Sequence, residues 1–399
     1  MSRDAAVLVT IVLALLALGL IMLYSATAVV AENSARYGND THFLMRQLVW
    51  IVMGLGAMWA TSRIPHEFWE RWRVPILVAT VILLALVFVP GVGARLNGAR
   101  RWVRAGGFFF QPSEAAKFGV AIFLCGFAAA EPERIRKFFK GFVPAFAVLG
   151  GCCAMIVVEP DIGTTLFIAT VMSLTLFVAG VRWGHILPMF LLAVAGIGYY
   201  GLTHTEHVME RLKLTWLNPE LDPLGKGLQI LQSLAALEGG QLWGMGLGRG
   251  TSKLYFLPEA HSDFIFAVIG EELGFVGACV VVLLYAGLGW TGYRVMRRAP
   301  DRFSFLLAFA ITTYIILQAA INVAVVTKAV PTKGIPLPLV SAGGSSALFT
   351  LAALGILVRI ANAAEERGLC STKAHSASCS PAEAPAATSS PASPSPSTP

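Results

Sequence analysis

The chain has 399 residues, of which 56% are hydrophobic and only 13% charged, a balance that excludes an ordinary soluble domain. Its net charge of +7 sits largely in short basic loops between apolar runs, which is the pattern of a polytopic membrane protein and not of a nucleic-acid binder. A helical span needs roughly 20 apolar residues. Ten runs qualify: 7–30, 47–63, 74–91, 114–130, 142–158, 163–181, 185–203, 262–290, 304–327 and 338–361.

The first run is followed by the small-residue stretch SATAVVA, which invites a signal-peptide reading. Its apolar length exceeds a signal h-region and only Arg3, beside Asp4, precedes it, so it is expected to stay as a helix. With ten spans both termini share a side. The short loops on that side carry Arg63, Arg71, Arg73, Arg134, Arg136, Lys137, Lys140, Arg182, Arg294, Arg297, Arg298 and Arg302, which makes it the cytoplasmic one.

One short loop on the other side breaks this pattern. GARLNGARRWVRAGG holds Arg95, Arg100, Arg101 and Arg104, and Arg clusters recognise phosphate through charge-assisted bonds. Anchoring among lipid headgroups is the plain alternative. The next helix opens with QPSEAAK, whose Glu114 and Lys117 are i,i+3 neighbours that can pair with each other or line the bundle. Farther on, EPDIGT interrupts two apolar runs, and Asp161 there suits either a helix cap or a site role.

The longest connection outside the membrane runs from His204 to His261 and contains an amphipathic segment, GLQILQSLAALEGG. His204, Glu206, His207 and Glu210 resemble metal ligands at first sight but lack a third fixed partner, so a polar loop face is expected. After them Gly244, Gly246, Gly248 and Gly250 would let backbone approach a ligand closely. No GxxxxGK[ST] is present and no strand precedes the loop, so nucleotide binding is not expected.

Asp263 then falls at the start of an apolar helix. An ionised group at a helix centre in the membrane costs about 2.5–3.5 kcal/mol on insertion scales, so such an acid needs a role. Lys253, Glu259, His261 and Glu271 are its ionisable neighbours in sequence. Partial burial raises a carboxylate's pKa and improves it as a proton acceptor, while a nearby cation keeps it ionised. Its plain alternative is a helix cap or a salt bridge to Lys253.

PTKGIPLPLVSAGGSS, 331–346, reads as a broken helix start, and irregular backbone at that depth must be buried in protein or line a cavity. Lys333 and Ser341 would face the same outer cavity as Asp263. Cys125, Cys152, Cys153 and Cys279 lie inside spans, and Cys370 and Cys379 in the tail, with no disulfide or zinc spacing. The membrane domain is expected over 1–368, and the Ser/Pro/Ala-rich 369–399 as a disordered cytoplasmic tail.

Taken in order, RRW…QPSE..K (Arg101, Trp102, Gln111 to Glu114, Lys117), EPDIGT, the GxGLG…K…LPEAHSDFIFAVIGEELG run and PTKGIPLPLVSAGGSS resemble the SEDS family (shape, elongation, division and sporulation) over about residues 7–362. PTKG and LPEAHSDFIFAVIGEELG place the likeness nearest its division branch. Departures occur at Gly250, Lys328 and Ala342, where the family commonly has Ser, a small residue and Tyr.

The resemblance implies an all-α polytopic membrane protein of about ten transmembrane helices, with a large outer loop between helices 7 and 8. It implies an inverting glycosyltransferase that polymerises lipid II at the outer face of the cytoplasmic membrane, working with a class B penicillin-binding protein of the FtsI transpeptidase type and other division proteins. Asp263 matches the family's essential acid. Arg101, Glu114, Lys117, Asp161, Lys253, Glu259, His261, Lys333 and Ser341 are the expected substrate-binding residues. The chemistry leaves room for a divalent cation, Mg2+ or Mn2+, on the pyrophosphate and calls for no organic cofactor, though no closed ligand set is visible. Rival readings are an elongation polymerase, a lipid II flippase, a scaffold and an O-antigen ligase. Clustering of the unusual charges on one side favours catalysis over transport, since a transporter carries polar groups along its whole path.

Overall fold

The computed structural model describes residues 1–32, 41–96, 99–105, 108–203, 216–223, 225, 227–251, 257, 261–332 and 334–378. Lys253, Glu259, Lys333, the His204 to Glu210 group and residues 379–399 therefore lie outside the described residues.

Long apolar runs close their own backbone hydrogen bonds as helices, the form in which a chain crosses lipid. They are α1 (Arg3–Glu32), α2 (His42–Arg63), α4 (Arg73–Leu86), α5 (Pro112–Ala130), α7 (Val143–Val158), α8 (Ile162–Val178), α9 (Trp183–Thr203), α11 (Ile265–Arg297), α12 (Arg302–Val326) and α13 (Gly344–Ser378). Two short helices on the basic side are α3 (His66–Arg71) and α6 (Pro132–Ile135). An amphipathic helix on the opposite side is α10 (Leu228–Gly240). Among the described residues seven helices are long and apolar enough to cross a membrane, and α4 and α8 are shorter apolar ones. The chain is a multi-pass membrane protein, as its composition required.

Two helices form the centre. α5 and α12 pack on each other and on α8, and their facing residues Ala116, Val120, Leu124, Ile311 and Tyr314 are buried. α2 lies along α13, α1 and α10 pack on α11, and α4 lies on α5. The outer faces keep large exposed side chains such as Leu13, Val52, Trp59, Ile82, Leu191 and Leu283. Such a belt faces acyl chains, where apolar exposure costs nothing.

Two features depart from a plain helix-and-loop reading. The arginine-bearing connection folds as an antiparallel sheet, β1 (Gly93–Leu96), β2 (Ala99–Ala105) and β3 (Phe108–Phe110), in the order β1-β2-β3. Trp102 pairs with Ala94 and Val103 with Phe110. The span expected at 262–290 is also interrupted, because Gly274 has φ 70° and breaks the helical path of α11. The N–H groups just after the break, of Phe275 and Val276, donate to the carbonyls of Gln241 and Leu242, so the glycine-rich loop docks into the kink.

At the basic end Asp4 pairs with Arg294 and Arg298 at 2.8 and 2.9 Å, and His66 Nε2 lies 2.9 Å from Asp301. These contacts close that end. The other end carries the site.

Candidate functional site

Alternation of the long helices brings the sheet, the 159–161 turn, α10 with its glycine-rich loop, the 261–264 turn and the 334–343 segment to one end. Asp263 stands in the turn that precedes α11, half-buried. The 334–343 backbone lies across this turn: Ala342 N donates to His261 O at 3.0 Å, Ser341 Oγ donates to Ser262 O, and Leu337 N donates to Ser341 Oγ at 2.8 Å. Ser341 is thus a main-chain clasp. Gly334 lies so close that a Cβ there would stand 2.9 Å from Asp263 Oδ2. The His261 ring meets Phe43 of α2 at 5.6 Å.

α5 begins with Pro112, whose missing N–H suits the first helical position. One turn on, Glu114 and Lys117 are each 4% exposed and form the expected i,i+3 pair at 2.8 Å. Lys117 Nζ also donates to Gln318 Oε1 at 3.1 Å and lies 5.5 Å from the Phe167 ring. Its charge is balanced inside the protein. Asp161 caps α8 by accepting from Thr164 N at 3.1 Å, and Gln111 Nε2 reaches its other oxygen at 3.4 Å. Gln111 N in turn donates to Ser345 Oγ of α13 at 3.4 Å.

Arg101, on β2, donates from Nε to Glu159 O at 3.1 Å and from its terminal nitrogen to Pro160 O. These bonds use part of the five-donor guanidinium fork and anchor the sheet to the α7–α8 turn. Glu159 is 1% exposed and neither of its carboxylate oxygens has a hydrogen-bond partner among the described residues. Burial, reinforced by the negative charge of Asp161 and offset in part by Arg101, pushes its carboxyl up to about 8.

The glycine-rich loop docks on two of the protein's own acids. Thr251 N and Oγ1 donate to Glu271 Oε1 at 2.7 and 3.1 Å, and Gly248 N donates to Glu272 Oε2 at 3.1 Å. Ser25 Oγ of α1 donates to both oxygens of Glu272. A Cβ on Gly244 would fall 2.2 Å from Glu272 O, and one on Gly250 2.8 Å from Glu271 Oε2. These two glycines admit the protein's own acids and backbone, so Glu271 serves the loop.

The geometry therefore joins Asp263, His261 and Ser341 at one junction, and Arg101, Asp161, Glu114 and Lys117 along α5 and the 159–161 turn. Sequence reasoning missed Gln318 and Asn322 of α12. Asn322 Nδ2 donates to Asp263 O at 2.8 Å and to Ile335 O at 2.9 Å. The signal was present as two primary amides one turn apart in an otherwise apolar run.

The family model described as "Cell cycle protein", covering the FtsW, RodA and SpoVE proteins, matches residues 5–366. The chain belongs to this family. A probable peptidoglycan glycosyltransferase FtsW from Trichlorobacter lovleyi is 41% identical over 354 residues, which span 89% of this chain and 92% of that relative. A chain from a structure of a peptidoglycan synthase complex, solved for its coordination of polymerization and crosslinking, superposes with a TM-score of 0.70 at 28% identity, covering 90% of this chain and 97% of its own length. The rod shape determining protein RodA of Thermus thermophilus gives 0.63 at 26% identity, covering 89% and 95%.

Proposed function

We propose that this chain polymerises lipid II into glycan strands for septal peptidoglycan, acting as the glycosyltransferase beside a class B penicillin-binding transpeptidase and other division proteins. Family membership and the glycosyltransferase relative support the activity. The observation that carries the residue assignment is Asp263 itself, a half-buried carboxylate pinned by its own main chain at the junction of α11, α12 and the 334–342 segment.

In this reading Asp263 takes the proton from the C4 hydroxyl of the acceptor GlcNAc. The freed oxygen pair attacks the anomeric carbon of the MurNAc linked to undecaprenyl pyrophosphate. The bond from that carbon to the pyrophosphate oxygen breaks, the pyrophosphate leaves with the electron pair, and the anomeric centre inverts. Positive groups steady the charge that grows on the leaving group: Arg101 on its anchored sheet, with Lys253 and Lys333 from the flanking segments. Glu114 and Lys117 hold the start of α5 as a closed pair.

A divalent cation belongs to the proposal only as a partner of the pyrophosphate. Among the described residues no three His, Cys, Asp or Glu side chains gather as a metal site. Such an ion would take most of its ligands from substrate phosphates and water, as Mg2+ commonly does.

The test is glycan synthesis from purified lipid II by the solubilised protein with its cognate transpeptidase, that partner lacking any glycosyltransferase domain. Wild type should yield long strands, and Asp263→Ala should bind the partner yet yield none. Strands from Asp263→Ala would remove the acid from its role; a folded, partner-bound wild type without strands would turn the reading toward a flippase or a scaffold.

A further inference from the structure

α12 is almost wholly apolar, yet Gln318 and Asn322, one helical turn apart, are 4% and 1% exposed. A primary amide buried at that depth must satisfy two N–H donors. Asn322 spends both on main-chain carbonyls, those of Asp263 and Ile335. Gln318 donates to Pro336 O at 2.9 Å, and its oxygen accepts from Lys117, which is itself paired to Glu114. One helix face thus ties together the peptide of the candidate acid, the 335–336 backbone and the buried ion pair of α5.

The residue types are specific to this task. Asn322 Oδ1 is buried with no hydrogen-bond partner among the described residues, and the two carbonyl partners of Nδ2 set the orientation of the amide. Turning the group over would place an oxygen against two oxygens, and a carboxylate of the same shape can make neither bond. The two carbonyls belong to the two segments that flank the Asp263 carboxylate, with Gly334 against its Oδ2. Asn322 therefore sets the spacing of those segments at the point where the acid lies.

We propose that Asn322 is a positioning residue for Asp263, fixing through the carbonyls of Asp263 and Ile335 the place from which that carboxylate receives the acceptor proton, while Gln318 ties the same frame to the Lys117–Glu114 pair. This rests on the glycosyltransferase reading above. Positioning through the main chain separates rate from binding, because the headgroup is held by basic side chains elsewhere. KM for lipid II should stay near that of the wild type, and kcat should fall on the order of 10²-fold, the size that a misplacement of about 1 Å can produce.

The experiment measures kcat and KM for lipid II polymerisation by the full chain with its transpeptidase, for wild type, Asn322→Asp, Asn322→Leu, Gly334→Ala and Ser233→Ala. Gly334→Ala presses on the carboxylate directly, its added Cβ meeting Asp263 and no atom of α12. Ser233→Ala is the matched control, since it removes another buried bond to α12, Ser233 Oγ to Val326 O at 2.9 Å, one turn beyond Asn322, and leaves the two bonds of Asn322 in place. Expected are a fallen kcat with a retained KM for Gly334→Ala and for each Asn322 variant that assembles with the partner, and near wild-type constants for Ser233→Ala. Retained kcat in Gly334→Ala or in an assembled Asn322 variant overturns the proposal, as does a loss shared equally by KM and kcat. A wild type that makes no glycan overturns the glycosyltransferase reading and this proposal with it, whereas an active wild type beside active variants overturns the positioning role alone.

Discussion

At the scale of single residues, Glu159 carries a consequence that Asp263 does not. Its carboxyl is held up to about 8 from an ordinary value of 4.5, so the folded protein keeps a proton that the unfolded chain gives up across that interval. The unfolded state then binds fewer protons, and stability falls as pH rises from about 4.5 to 8 before levelling off. Glu159→Gln keeps the shape and removes the titration. Its melting temperature in detergent should match the wild type near the lower limit and exceed it by a growing margin toward the upper one. A margin that does not change with pH would show that Glu159 is ionised in the fold, with Arg101 compensating it.

At the scale of elements, the glycine-rich loop and the kink of α11 form one unit. Gly244 and Gly248 both have φ 81°, but a Cβ on Gly248 meets nothing within 4 Å whereas one on Gly244 runs into Glu272 O and Gly274 N. Gly248→Ala should cost only the left-handed backbone strain, about 1–3 kcal/mol. Gly244→Ala adds a clash with main chain that cannot swing aside, so it should melt lower than Gly248→Ala and lose polymerase activity along with loop docking. Equal melting temperatures would mean that the loop does not dock in the kink. Here lies the boundary of what the sequence discloses. Hydropathy reveals the spans because each must bury its own backbone polarity, and Asp263 stands out because an acid beside hydrocarbon is costly. Which partner the glycines approach is a long-range fact, decided when residues 244–251 fold back on Glu271 and Glu272. Asn322 shows in the chain only as an amide in an apolar run, since its meaning comes from two carbonyls that lie 59 and 13 residues away. The sheet was more legible than its reading as a loop allowed: Asn97-Gly98 between Arg95-Leu96 and the Trp102-Val103 pair is a hairpin signal.

At the scale of the whole molecule, the two ends of the bundle are chemically unlike. One end gathers the arginine-bearing sheet, the buried acid Glu159 and the Asp263 junction, with Arg101, Gln111 and Ser341 cross-linking segments from four connections. The other gathers most of the loop cations, balanced in part by Asp4, Glu70 and Glu131. Loop arginines and lysines resist translocation, so the end rich in them should face the cytoplasm and the Asp263 end the outside, where polymerisation would need it. The exception, Arg95, Arg100, Arg101 and Arg104, does not reverse this, because these four are outnumbered by the loop cations of the other end. Arg104 and Lys140 are exposed at opposite ends and report the orientation directly. In a background with the six native cysteines replaced, Arg104→Cys should react with a membrane-impermeant maleimide in intact cells stripped of their outer barrier, and Lys140→Cys only after the membrane is permeabilised. The reverse pattern would put Asp263 in the cytoplasm and end any account in which this chain builds wall polymer on the far side of the membrane.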